Sequence, residues 1–148
     1  MKPIDFEIVP LTREWIAAVA DLEREVFPEP WSEQALMLLL DGEAFGFACV
    51  RAQELLGYGG LMIAVDEGQI TNIAVRRVAR RQGVGQAILS ALIDEARKKG
   101  LVQISLEARV SNEAAIALYE KLGFSVAGRR KNFYRHPTED ALVMLKQF

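Results

Sequence analysis

The stretch Arg80-Arg81-Gln82-Gly83-Val84-Gly85-Gln86 lies between an apolar run, residues 69–75, and an amphipathic one that ends before Gly100. The apolar positions of the second run recur at three- and four-residue spacing, at Ile88, Leu89, Leu92, Ile93 and Ala96. This spacing predicts a helix, so we expect a strand, a glycine-containing turn and a helix in succession. Glycine lets a ligand approach the backbone, and the first N–H groups of a helix point outward at its positive end. The stretch is therefore predicted to bind an anionic phosphate, and a tight turn with solvated arginines is the alternative interpretation.

The sequence on either side of this unit predicts a mixed α/β sheet. Residues 102–107 follow the helix at once and form a strand, which makes a parallel strand-helix-strand unit with residues 69–75. Further predicted strands cover residues 6–9, 44–51, 55–65, 124–132 and 141–145, with a hairpin turn at 66–68. Further predicted helices start at Thr12, at Ser32 and at about Asn112. The total is about seven strands with four helices, with an antiparallel front half.

Composition indicates one domain over residues 1–148. The chain has 51% hydrophobic and 26% charged residues, which is typical of a globular protein. One cysteine and one histidine make a zinc site improbable, so no metal is expected. We find no segment of signal-peptide or membrane-spanning character, and we expect a cytoplasmic protein without a membrane partner. The net charge of -2 gives no case for nucleic-acid binding by the whole molecule.

The glycine stretch lacks the Walker A pattern and the three-glycine dinucleotide fingerprint. It resembles the pyrophosphate-binding loop of the GNAT acetyltransferase superfamily, in which Arg or Gln is followed by two residues, Gly, one residue, and Gly or Ala; Arg80, Gly83 and Gly85 match. Residues 71–75 are similar to the central strand of that family, and residues 105–124 to its second signature region. The resemblance covers roughly residues 44–145 and implies a GNAT-like fold with acetyl-CoA as co-substrate. The coenzyme-binding residues that it implies are Ile73, Ala74, Val75, Arg80, Arg81, Gln82, Gly83, Val84, Gly85, Gln86, Asn112 and Ala115.

Three further segments resemble the ribosomal-protein alanine N-acetyltransferases within that superfamily: Pro30-Trp31-Ser32-Glu33, Leu106-Glu107-Ala108-Arg109 and Asn132-Phe133-Tyr134. The resemblance implies that the acceptor is the α-amine of a protein N-terminus, in particular the N-terminal alanine of a ribosomal protein. Trp31 and Tyr134 are expected to line the acceptor groove. A staple from Trp31 onto Leu36 is an equally good interpretation of that tryptophan.

Acetyl transfer by direct attack of an amine needs a base, an oxyanion donor and a proton for the departing thiolate. Glu107, at the end of a strand and off its apolar face, is the candidate base, acting directly or through a water. Tyr119, on one helical face with Asn112 and Ala115, is the candidate acid. A backbone amide of residues 73–75 is the candidate oxyanion donor. The alternatives are a solvated strand-end carboxylate for Glu107 and an ordinary core tyrosine for Tyr119.

Proton energetics favour an α-amine as the acceptor. An α-amine has a pKa near 8 and a lysine side chain one near 10.4, so deprotonating the lysine costs roughly 3 kcal/mol more at neutral pH. Two other functions stay open at the level of sequence. One is a small-molecule amine acetyltransferase, and the other is a noncatalytic acyl-CoA binding module.

Overall fold

A seven-stranded sheet with the strand order β1-β2-β3-β4-β5-β7-β6 forms the framework of the protein. The structure is a computed structural model and describes residues 5–148. The strands are β1 (Glu7–Pro10), β2 (Ala44–Arg51), β3 (Glu54–Ala64), β4 (Glu67–Val75), β5 (Gln103–Arg109), β6 (Ser125–Tyr134) and β7 (Glu139–Gln147). The helices are α1 (Ile16–Val26), α2 (Glu33–Leu36), α3 (Val84–Lys98) and α4 (Glu113–Lys121). Within residues 5–148 only β4 and β5 run parallel, as expected for strands joined by a crossover helix.

The parallel pair separates soon after it forms. Glu67 to Gln69 of β4 pair with Gln103 to Ser105 of β5, and the pairing of the two strands ends there. β4 nevertheless continues to Val75 and β5 to Arg109. The outer edges stay paired, β4 with β3 and β5 with β7. The sheet therefore opens into a slot between the second halves of its two central strands.

A β-bulge marks the point where the strands part. Gly59 of β3 lies opposite Ile73 of β4, whereas Leu61 lies opposite Ile70, so two residues, Thr71 and Asn72, face the single Gly60. A bulge of this kind bends the strand that carries the extra residue and increases its twist. The bend falls directly after Gln69, the last residue of β4 that pairs with β5.

Apolar side chains cover both faces of the sheet. One core cluster joins α3 to the sheet and includes Ile88, Leu89 and Leu92, with partly buried residues of α4 packed against it. The other cluster joins α1 and α2 to the opposite face and includes Val19, Leu22 and Leu36. Side chains of β4 alternate between these clusters beyond the bulge: Ala74 belongs to the α1 side, and Ile73 and Val75 pack on the α3 side.

The predicted fold class is confirmed, a mixed sheet of seven strands with four helices and one parallel pair. Ser32 caps α2 as expected, since its Oγ accepts a hydrogen bond from the Ala35 N–H at 3.1 Å. Gly100 and Gly123, each two residues beyond the end of a helix, both have positive φ. The single-domain prediction includes residues 1–4, which lie outside the described residues.

Two local predictions were wrong. The hairpin turn expected at 66–68 is Val65-Asp66, because Ala64 already pairs with Glu67 and β4 begins there. Val65, with a φ of 60°, takes the left-handed turn conformation although it is β-branched. Thr12 does not cap α1: it precedes a 3-10 turn, Arg13–Trp15, and its hydroxyl donates to Glu14 Oε1 instead.

Candidate active site

The glycine stretch forms a turn at the N-terminus of α3. Arg81 and Gly83 both have positive φ, 63° and 84°, which curls the chain before Val84 begins the helix. Gly83 is the N-cap and has no side chain to satisfy the first helical N–H groups, so these remain for a ligand or solvent. Arg80 Nε donates to the Val75 carbonyl at 3.3 Å and so ties the turn to the end of β4.

On the side of Gly85, the N-terminus of α3 lies close to β4 and α4. A Cβ at Gly85 would lie 3.7 Å from Val75 Cγ2 and 4.0 Å from Leu118 Cδ2, so the helix start touches both β4 and α4. The Gln86 side-chain oxygen accepts a hydrogen bond from Lys121 Nζ at 3.3 Å. Gln82 is half-buried, and Arg80 and Arg81 are exposed. The turn, the end of β4 and α4 together surround the positive end of α3.

Ile73, Ala74 and Val75 lie in the part of β4 that has left β5. On their other edge they pair with β3, where Gly59, Tyr58 and Gly57 are their respective partners. On the edge that faces the slot, the main-chain N–H and C=O groups have no strand partner. These groups can form hydrogen bonds with an acyl oxygen or with an amide-containing arm.

Glu107 lies on β5 beyond its pairing with β4, and 14% of its side chain is exposed. Gln69 Nε2 donates to its Oε1 at 3.2 Å, and Arg130 Nε of β6 lies 3.6 Å from the same oxygen. Ile104, Leu106 and Ala108 are buried, whereas the alternate residues of β5, Glu107 among them, are half-buried. The carboxylate is therefore held at the slot by β4 and β6 and is not packed into the core.

Tyr134 connects the base and acid candidates electrostatically. Burial, and then the nearby Glu107 carboxylate, raise the pKa of Tyr134 to about 12, against a lowering contribution from Arg109. Smaller contributions come from Tyr119 and Glu139. The guanidinium of Arg109 lies over the Tyr134 ring at 4.5 Å, a cation–π contact that fixes the ring. Glu107 and Tyr119 therefore both lie within electrostatic range of the Tyr134 phenol.

Arg109 also fastens the turn between β6 and β7. Its guanidinium donates to the carbonyls of Arg135 and Pro137 and to Glu139 Oε1. Glu139 Oε2 in turn accepts from the Ser111 N–H at 2.7 Å. Hydrogen bonds from Ser111, and then those from Arg109, lower the pKa of Glu139. An open cavity of about 390 Å³ on this turn is lined by Asn132, Arg135, His136 and Thr138.

The predicted site residues Asn112 and Tyr119 both belong to α4: the first lies at its start and the second on the side that packs against the core. Asn112 is the N-cap, and its Oδ1 accepts from the Ala115 N–H at 3.2 Å, so the side-chain NH₂ takes no part in capping. Tyr119 packs edge-to-face on Phe124, with ring centroids 6.1 Å apart. Burial raises the pKa of the Tyr119 phenol.

Trp31 is half-buried and packs against the α1 and α2 cluster that includes Leu36. Its backbone N–H donates to Glu23 Oε1 at 2.8 Å. Sequence reasoning missed Glu23, which is fully buried on α1 and also accepts from Tyr58 and Asn72. A signal was present, because position 23 falls on the same helical face as Val19 and Val26, where an acidic residue interrupts the apolar stripe.

Cys49 has no place in this site. It is fully buried in the α3-side cluster, and burial raises the pKa of its thiol to about 11. Among residues 5–148 no cluster of three or more His, Cys, Asp and Glu side chains has an arrangement that could hold a metal. None of the helices in those residues combines the length and apolar character that a bilayer crossing demands.

A mixed sheet split between its two parallel strands, with an open helix N-terminus beside the split, defines an acyl-coenzyme A dependent transferase of the GNAT class. The chain belongs to the Acetyltransferase (GNAT) family, whose sequence pattern matches residues 13–124. It is an acetyl-CoA dependent N-acetyltransferase and, within that family, is similar to the ribosomal-protein alanine N-acetyltransferases.

The similarity to these relatives extends over most of the chain. The [Ribosomal protein bS18]-alanine N-acetyltransferase of Escherichia coli (strain K12) is 38% identical over 133 residues, 87% of this chain and 88% of that protein. A putative [ribosomal protein bS18]-alanine N-acetyltransferase of Bacillus subtilis (strain 168) is 36% identical over 85% of each chain. The crystal structure of the ribosomal-protein-S18-alanine N-acetyltransferase from Escherichia coli superimposes with a TM-score of 0.90 and 34% identity, covering 97% of this chain and 94% of the other.

Proposed function

We propose that this chain transfers the acetyl group of acetyl-CoA to the α-amine of a protein N-terminus, with the N-terminal alanine of a ribosomal protein as the acceptor. The observation that carries the proposal is the slot between β4 and β5, which has Glu107 on one wall and the unpaired edge of Ile73 to Val75 on the other. The similarity to the bS18-alanine acetyltransferases supports the choice of acceptor. We also propose that it acts as one domain in the cytoplasm, where ribosomal proteins are made.

The α3 N-terminus is the proposed site of the coenzyme pyrophosphate. Its uncapped N–H groups and positive dipole end favour an anion, and Arg80 and Arg81 add positive charge at the turn. Residues 82–86 supply the backbone of this site. The amide-containing arm of the coenzyme then follows the edge of Ile73 to Val75, with the Asn112 side chain and Ala115 of α4 on its other side.

Glu107 is the proposed general base. The attacking α-amine carries a proton at neutral pH, with a pKa near 8, and must lose it before it attacks the thioester carbonyl. Glu107 accepts this proton directly or through a water. The amine nitrogen then bonds to the carbonyl carbon, and a backbone N–H of residues 73–75 donates to the oxygen that becomes negative.

Tyr119 is the proposed acid. As the tetrahedral intermediate collapses, the carbon–sulfur bond breaks and the nitrogen loses its second proton to a water. The thiolate of the coenzyme receives the Tyr119 proton, and the phenol is then reprotonated from solvent. A phenol with a raised pKa is a weak acid, so the transfer to a thiolate is uphill. The hydrogen bond to the developing thiolate is therefore its main contribution to the rate.

The acceptor is proposed to enter on the opposite side from the coenzyme. Trp31, before α2, and Tyr134, at the end of β6, line this entrance, and the Tyr134 ring is held by Arg109. His136 Nε2 and Glu29 Oε1, which are 3.5 Å apart, bring the segments that carry these two residues together. An entrance between two loops accommodates a chain that leaves the site, as a protein N-terminus must.

A peptide panel tests the proposal. The purified chain is incubated with acetyl-CoA and peptides that differ only in their first residue, and mass spectrometry measures the acetylated fraction. We expect acetylation of free N-termini with alanine preferred, and none of peptides whose N-terminus is blocked. Transfer to small amines but to no peptide would contradict the proposal in favour of a small-molecule acetyltransferase. Coenzyme binding without any transfer would contradict it in favour of a noncatalytic module.

A further inference from the structure

Glu23 is a fully buried carboxylate to which the proposed chemistry assigns no role. The three donors that the structure gives it are uncharged. The Trp31 N–H donates to Oε1 at 2.8 Å, and Tyr58 Oη and Asn72 Nδ2 donate to Oε2 at 2.6 and 3.0 Å. A carboxylate is strongly disfavoured away from water unless hydrogen bonds replace its hydration. These three bonds therefore tie Glu23 firmly to the three segments that supply them.

One of those segments is the bulge of β4. Asn72 is one of the two bulge residues, three positions after the last residue of β4 that pairs with β5. Its side chain reaches α1, on the face of the sheet to which Ala74 also belongs. The hydrogen bond to Glu23 consequently fixes the direction in which β4 bends away from β5.

The second segment lies on the acceptor side. The Trp31 N–H closes the stretch between α1 and α2, directly before the Ser32 cap. The Glu23 carboxylate accepts hydrogen bonds from both Asn72 and Trp31. A shift of the β4 bulge is therefore transmitted through this carboxylate to the segment before α2, and the reverse also holds.

A neighbouring carboxylate on α1 strengthens the attachment of β4. Glu25 accepts hydrogen bonds from Arg76 Nη1 and from the Arg77 N–H, both at 3.1 Å. These residues follow the end of β4, so α1 holds the separated stretch of the strand at its start, through Glu23, and at its end, through Glu25.

We propose that Glu23 is a positioning residue for acetyl transfer, which sets the bulge of β4 through Asn72 and the acceptor segment through Trp31. This inference rests on the function proposed above. In the proposed reaction the acetyl-CoA arm lies along β4 and the amine enters past Trp31. Glu23 is hydrogen-bonded to both of these segments. A displacement of about 1 Å between reacting groups can lower the rate about 100-fold.

Two substitutions separate positioning from stability. Asn72→Leu and Tyr58→Phe each remove one hydrogen bond to the same oxygen, Oε2, but only Asn72 belongs to the slot. We expect Asn72→Leu to lower kcat about tenfold or more with little change in the KM for acetyl-CoA, and Tyr58→Phe to lower the free energy of unfolding without this loss. Equal kinetic effects of the two variants would overturn the inference.

A conservative variant gives the complementary test. In Glu23→Gln the side-chain oxygen can accept from Trp31 while the NH₂ donates to the Tyr58 hydroxyl and to an Asn72 amide turned over by 180°. We expect near-normal kcat for Glu23→Gln and a loss similar to that of Asn72→Leu for Glu23→Leu. Loss of kcat in a folded Glu23→Gln would contradict positioning by hydrogen bonds.

Hydrogen exchange measures the positioning without any acceptor. We expect faster amide exchange in residues 70–76 of Asn72→Leu than of Tyr58→Phe. Unchanged exchange in this segment overturns the role of Glu23 whatever the enzyme acetylates. If the wild-type chain acetylates no N-terminal peptide, the proposed function fails, and the exchange result still decides on Glu23.

Discussion

Glu107 and Tyr119 are the two side chains to which the proposed chemistry assigns proton transfers, and they lie on different elements. Glu107 is held by Gln69 from β4 and by Arg130 from β6, both at the same carboxylate oxygen. Tyr119 is held by the packing of its ring on Phe124. Because neither side chain depends on the other for its position, each can be changed separately.

Replacing Glu107 by Gln keeps the shape of the side chain and removes its basicity. We expect kcat to fall about 10²- to 10⁴-fold, the usual contribution of a general base, and the affinity for acetyl-CoA to stay near that of the wild type. Steady-state kinetics and calorimetric titration with acetyl-CoA measure the two quantities. Glu7→Gln, which changes an exposed carboxylate on β1, is the matched control. Unchanged turnover of Glu107→Gln would exclude Glu107 as the base.

Tyr119→Phe removes one hydroxyl and retains the ring contact with Phe124. Turnover is expected to fall because the leaving thiolate loses its donor, whereas coenzyme affinity is expected to remain within a few-fold. Tyr58→Phe removes a tyrosine hydroxyl remote from the proposed reaction and serves as the control for stability. Normal turnover of Tyr119→Phe would remove this residue from the mechanism.

At the level of elements, the start of α3 is the proposed site of the coenzyme pyrophosphate. Its N-terminus carries no side-chain cap, and Gly85 faces β4 and α4 with ordinary contact distances of 3.7 and 4.0 Å for an added Cβ. A methyl group therefore fits at this position, and an indole does not.

Gly85→Trp is expected to abolish acetyl-CoA binding, because the side chain fills the space next to the helix N-terminus. Gly85→Ala is the matched control, since it adds only the Cβ and leaves the turn at Gly83 intact. Circular dichroism checks that the helix persists, and calorimetry measures affinity. A Gly85→Trp variant that is folded and binds acetyl-CoA as tightly as Gly85→Ala would contradict the assignment of this site.

At the level of the whole molecule, burial changes the pKa of every tyrosine side chain. The sequence has three tyrosines, and burial raises the pKa of all of them: Tyr58, Tyr119 and, to about 12, Tyr134. In the unfolded chain each ionises near pH 10. A raised folded-state pKa contributes stability that is fully present below pH 10 and is lost as the pH rises through the folded-state value.

Ultraviolet absorbance of tyrosinate tests this behaviour. Between about pH 10 and 11 the folded protein is expected to show little tyrosinate, and in denaturant the ionised fraction of each tyrosine is expected to rise from about half to about nine-tenths. The free energy of unfolding should fall as the pH rises through the same interval. A folded protein whose tyrosines titrate near pH 10 would contradict the burial of these phenols.

Local sequence patterns predicted more of the fold than of the candidate site. Alternation placed Glu107 off the apolar face of β5, and Gly83 and Gly100 marked the two ends of α3. The contacts of Glu107 with Gln69 and of Glu23 with Asn72 join residues 38 and 49 positions apart. Periodicity reports the face on which a side chain lies, but not the distant partner that it meets, so the network around Glu23 required the structure.

The point at which β4 separates from β5 could not be predicted from the sequence. No side-chain pattern in residues 69–75 shows where pairing ends, because the bulge at Thr71 and Asn72 depends on the register with β3. The same holds for the turn between β6 and β7, whose shape is fixed by Arg109 from another strand.

Localising the acetyl group on one peptide tests the central claim most directly. A peptide with a free N-terminal alanine and an internal lysine is incubated with the purified chain and acetyl-CoA, and tandem mass spectrometry finds the modified nitrogen. We predict acetylation of the α-amine alone, because its pKa lies about 2 units below that of the lysine. Acetylation of the lysine, with the α-amine left free, would contradict the account.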